Sequence, residues 1–109
     1  MTTIQLTTWD RVIIANIIGA LQGDVKLMRK ADKIIDLIEL TSEERGAVNF
    51  NYDERAQFAT WEDQERKWDV TFNDPESLVF LKETLRGKSD WPALQRKQVL
   101  RLYAELGIE

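Results

Sequence analysis

The chain has 109 residues, enough for one core and short for two domains, and its 43% hydrophobic and 31% charged residues are those of a folding chain, not a disordered one. It contains neither cysteine nor histidine, which excludes disulfides, thiolate metal sites, cysteine nucleophiles and every histidine-based catalytic dyad. Nineteen acids against fifteen bases give a formal charge of −4 and a pI near 4.9, opposite in sign to the basic stripe of most nucleic-acid binders, so the balance points to a basic partner or to solubility alone.

At the N-terminus, MTTIQLTTWDR has no basic stretch followed by an apolar run, and the longest apolar run is broken by Asn16 and Gly19. That is well short of the roughly twenty residues needed to span a bilayer, so the expectation is a cytoplasmic protein with no membrane association. Thr7 with Asp10 three residues later has the spacing of a capping box and predicts a helix over 10–21. Its expected buried stripe is Trp9, Val12, Ile13, Ile17 and Ala20, widened by Ile14, Ile18 and Leu21. Gly23 is the expected stop and Asp24 the cap of a second helix over 25–40, the two helices forming an antiparallel hairpin. Thr41 or Ser42 caps a further single turn that Gly46 ends.

Residues 46–73 are the part that reads as strand, and the rest of the chain is expected to pack on them. Val48, Phe50 and Tyr52 alternate with polar residues, Phe58–Trp61 follow, and Trp68, Val70 and Phe72 alternate again. The reading is a three-stranded antiparallel meander whose aromatics, Phe58 among them, cover the helices. Asn73-Asp74-Pro75-Glu76 has the chemistry of a helix start, with Gly87 as the stop. Ser89 or Asp90 caps the last helix, which Gly107 ends. The fold class is therefore α+β: an N-terminal helical hairpin, a small three-stranded sheet and two C-terminal helices, in one domain over 1–109.

Motifs for chemistry are scarce. There is no glycine loop of the phosphate-cradling kind, and the three serines stand beside helix starts with no histidine to activate them. The acidic turn Glu62-Asp63-Gln64-Glu65 lacks the alternation and the glycine of a calcium loop. No catalytic residue, metal or cofactor is expected. Two surfaces stay open as binding sites. One is Trp61, Glu62, Asp63, Glu65 and Trp68, where acids flank aromatics of the type favoured as interface anchors. The other is the face formed by Lys26, Arg29, Lys30 and Lys33 at helical spacing, an anion or nucleic-acid contact if it is more than a solvated face.

Leu6-Thr7-Thr8-Trp9-Asp10-Arg11, leading into Ile14-Ala15-Asn16-Ile17, resembles the opening LTTWxR…LNIL of small proteins encoded by bacteriophages and prophages. The order of elements is similar too. The resemblance implies an origin in a mobile element and a role as a small accessory factor; it assigns no catalytic residue. The function expected is a non-enzymatic protein-binding factor that modulates or inhibits a host or phage protein, such as a nucleic-acid-handling or defence protein, in the host cytoplasm. A nucleic-acid-binding component and an oligomeric particle component are the alternatives.

Overall fold

The computed structural model describes residues 2–55 and 58–108, the side chain of Phe58 excepted. Among them the order is β1 (Thr2–Thr7), α1 (Thr8–Gly19), α2 (Val25–Ile38), α3 (Ser42–Ala47), β2 (Asn51–Asp53), β3 (Phe58–Thr60), β4 (Lys67–Phe72), α4 (Pro75–Arg86), a 3-10 turn (Ala93–Gln95) and α5 (Arg96–Leu106). The mixture of helix and strand agrees with the sequence reading. The sheet does not.

The three-stranded meander is replaced by two separate antiparallel pairs, β1 with β4 and β2 with β3. The partner of β4 is the start of the chain, Thr2 facing Phe72 and Thr7 facing Lys67. In Thr-Thr-Ile-Gln-Leu-Thr the period is two: Ile4 and Leu6 point inward, while Thr3 and Gln5 point out to meet Thr71 (2.9 Å) and Asp69 (3.4 Å). The pairing brings Ile4, Leu6, Val70 and Phe72 onto one buried face. At about 1.5–3 kcal/mol for each side chain removed from water, that outweighs anything the exposed segment Asn51–Asp53 could offer β4. Of the expected first strand, Val48 is buried as the C-cap of α3, Phe50 is half-buried, and three residues pair as strand. The side chain of Phe58, counted with the sheet's aromatics, lies outside the described residues.

The helices pack on that face, and the core runs through β1, α1, α2, β4, α4 and α5. The seam of α1 is Ile14 and Ile18; Trp9, Ile13 and Ile17 are half-buried and Ala20 is exposed. α1 ends at Gly19 with Ala20 as its cap, short of the expected Gly23. Asp24 caps α2 as expected, accepting from the Leu27 N–H, and Asp74 with Pro75 starts α4. The last helix begins later than Ser89 or Asp90. Pro92 is extended at the start of the 3-10 turn, and the Trp91 indole N–H donates to the Tyr103 hydroxyl (2.9 Å), which donates to the Leu85 carbonyl. Gly107 stops α5 in the left-handed region, φ 71°, where a side chain would be strained. No described helix is long and apolar enough to cross a membrane.

Two charges of α1 that the helical pattern marks as polar, Asp10 and Arg11, are buried. Asp10 closes the predicted capping box with Thr7 and also accepts from Arg101 Nη2 of α5 at 2.9 Å. Arg11 reaches the end of α2 and α3: its Nε donates to the Ile38 carbonyl, its Nη2 to that of Glu39 (each 2.9 Å), and its Nη1 to Glu44 Oε2 (2.7 Å).

Candidate functional site

Residues 41–66 form a region of their own, made of α3, the β2–β3 hairpin and the turn that follows. They contain seven carboxylates and three arginines, while the remainder of the chain carries twelve acids and twelve bases. The whole acidic surplus therefore sits on this one lobe. Most of its polar side chains are exposed, and so is Tyr52.

Local geometry builds the lobe around an aromatic pair. Phe50 and Trp61 stack with centroids 5.9 Å apart and planes 14° from parallel. The Glu62 N–H donates to the Val48 carbonyl (2.6 Å), and Asn49 Nδ2 donates to Glu62 Oε2 (2.7 Å), tying the two chain segments beside the stack. Asn49 (φ 49°) and Asp63 (φ 54°) adopt the left-handed conformation, which Asn and Asp tolerate better than most residues. Asp63 thereby turns the chain so that its carbonyl accepts from the Arg66 N–H, while Gln64 Nε2 donates to the Trp61 carbonyl (2.6 Å). The indole N–H of Trp61 is shielded from solvent and meets no acceptor among the described residues.

The residues singled out from the sequence divide accordingly. Trp61, Glu62, Asp63 and Glu65 belong to the lobe, with Trp61 half-buried and the three acids exposed. Trp68 belongs to β4. Its N–H donates to Thr8 Oγ1 (3.1 Å), and the Arg66 and Arg11 guanidinium groups lie 4.3 and 5.9 Å from its ring centroid. It joins the acidic turn to the body through Arg66, with its donor already satisfied.

Of the basic face, Lys26, Arg29, Lys30 and Lys33 are all exposed on α2. Lys33 pairs with Asp74 at 3.6 Å and Lys30 lies over the Phe80 ring at 5.8 Å. Asp74, Glu76 and Glu83 line the same cleft as these two lysines, so carboxylates interrupt the positive field there. Among the described residues no three carboxylates gather as a metal site.

A second cleft, of about 330 Å³, lies where the lobe meets α1 and the end of α2. Its lining includes Ala15, Asn16, Ile38, Arg45, Phe50 and Tyr52. Sequence reasoning missed it because its walls come from five separate segments. The one legible signal was Asn16, a polar residue inside an apolar helix and exposed in the fold. No protein-family model, curated protein or solved structure matches this chain.

Proposed function

We propose that the protein is a non-enzymatic binding factor that docks its acidic lobe on a basic surface of another protein. A basic nucleic-acid-binding surface is the natural target, and occupying it would inhibit or modulate its owner. The resemblance to phage and prophage proteins fits such an accessory role, directed at a host or phage protein in the cytoplasm. The observation that carries the reading is the confinement of the whole acidic surplus to residues 41–66, around the Phe50–Trp61 stack and the exposed Tyr52. Charge of one sign concentrated beside aromatic anchors speeds encounter with a complementary surface and holds it once formed.

The test is affinity capture from bacterial lysate with the wild-type chain, with Glu62→Lys plus Glu65→Lys, and with Lys30→Glu plus Lys33→Glu. A partner retained by the wild type and the lysine variant, lost by the acid-reversal variant and displaced from DNA by the wild type supports the proposal. Equal retention by all three removes it. A DNA or RNA band shifted at low salt and released by Lys30→Glu plus Lys33→Glu would transfer the function to α2.

A further inference from the structure

The cleft beside the lobe supplies what the acids lack, a place for an apolar anchor. Resting on the function proposed above, we infer that it receives one aromatic side chain from a basic segment of the partner. Its apolar lining comes from the buried Ile38 and Leu40 with Val12 and Ala15, beside the polar Asn16 and Glu39. Phe50 and the exposed Tyr52 line it from the lobe. At about 330 Å³ it lies at the small end of the roughly 300–1,000 Å³ range of ligand sites, a size for a side chain more than for a cofactor.

The charges on its own lining balance. Arg11 lines the cleft, but its guanidinium is neutralised by Glu44 and donates to the Ile38 and Glu39 carbonyls, so it presents no free cation. Arg45 is an exposed cation on the lining, lying over the Phe50 ring at 5.4 Å, and the exposed Glu39 on the same lining offsets its charge. Arg45, Phe50, Tyr52 and Ala59 of the lining belong to the lobe that carries the chain's surplus of acid. An aromatic residue flanked by Lys or Arg matches both features: the ring enters the cleft and the cations meet the carboxylates. Aromatic side chains seated in such pockets contribute a large share of interface affinity.

The experiment is a fluorescence-anisotropy titration of the full chain at low salt with a labelled lysine-rich peptide carrying one tryptophan, and with the same peptide carrying serine instead. The tryptophan peptide is expected to bind about tenfold tighter. Asn16→Trp, placed at an exposed position on the cleft wall, should erase that difference and leave the serine peptide's affinity unchanged. Glu62→Lys plus Glu65→Lys should weaken both peptides equally. Equal affinities for the wild-type chain, or a difference that survives Asn16→Trp, overturns the pocket and leaves the acidic-lobe reading standing. Indifference of both peptides to the acid reversal overturns that reading, and with it the charge match on which the pocket rests.

Discussion

The chain uses one device in two regions. Thr7 with Asp10 starts α1, and Thr41 with Glu44 starts α3, each as a reciprocal capping box. In each box the acid also takes an arginine from a distant element: Asp10 holds Arg101 and Glu44 holds Arg11. The surroundings differ. The first box is buried at the end of β1, where the strand runs into α1. The second is largely exposed, and Arg11 is the strut by which it ties the acidic lobe to that body. The body is held by apolar burial with balanced charge; the lobe is held by directed polar contacts, one aromatic stack and the buried Val48, and it leaves its carboxylates other than Glu44 to solvent. Binding surfaces tend to be placed on the less deeply packed parts of a structure, supported by a rigid remainder.

Breaking the body should have the largest effect. Phe72→Ala, at a position 1% exposed, is expected to cost about 3–5 kcal/mol in urea unfolding, whereas Tyr52→Ala in the lobe stays within about 0.5 kcal/mol. Comparable losses at the two positions would mean that the lobe is as deeply packed as the body.

Cutting the strut comes next. Arg11→Ala removes a buried guanidinium and leaves two carbonyls at the end of α2 and the Glu44 carboxylate without it, an expected loss of about 3 kcal/mol. Hydrogen exchange should quicken at α3 and the hairpin more than at α4. Uniform acceleration across the chain would show that Arg11 serves the body as much as the lobe.

The smallest effect concerns pH. The hydrogen bonds from Arg11, foremost, and from the Thr41 N–H hold the Glu44 carboxyl below its ordinary value of 4.5, against the opposing pull of burial. The folded value lies below the unfolded one, so the unfolded chain binds the proton more readily. The resulting stability is complete above about pH 4.5 and is lost as pH falls through the lower folded value. Glu44→Gln is expected to cost about 1–2 kcal/mol at neutral pH and to flatten stability against pH below 4.5; an unchanged slope would assign the acid sensitivity to other carboxylates.

Helix positions were legible because their signals are local. Thr7–Asp10, Asp24, Thr41 and Asp74-Pro75 cap where their side chains can reach the first free N–H groups, and Gly107 turns where a side chain would clash. The strand Thr2–Thr7 was not legible as such, because two apolar residues among threonines read equally well as the approach to a helix. The acids at 62–65 and Trp61 stood out in the sequence, but Trp68, grouped with them by spacing, is satisfied in the body.

What the sequence alone determined is therefore where α1, α2, α3 and α4 start, and that cysteine and histidine chemistry is absent. What only the tertiary structure decided is which strand β4 pairs with, that Asp10 and Arg11 are buried, and that the acid-rich lobe lines a cleft with α1 and the end of α2. Caps and turns are settled by contacts a few residues apart. Pairing Thr2 with Phe72, and bringing Arg11 to Glu44, depends on which distant surfaces together leave the least apolar area in water and the fewest buried charges alone.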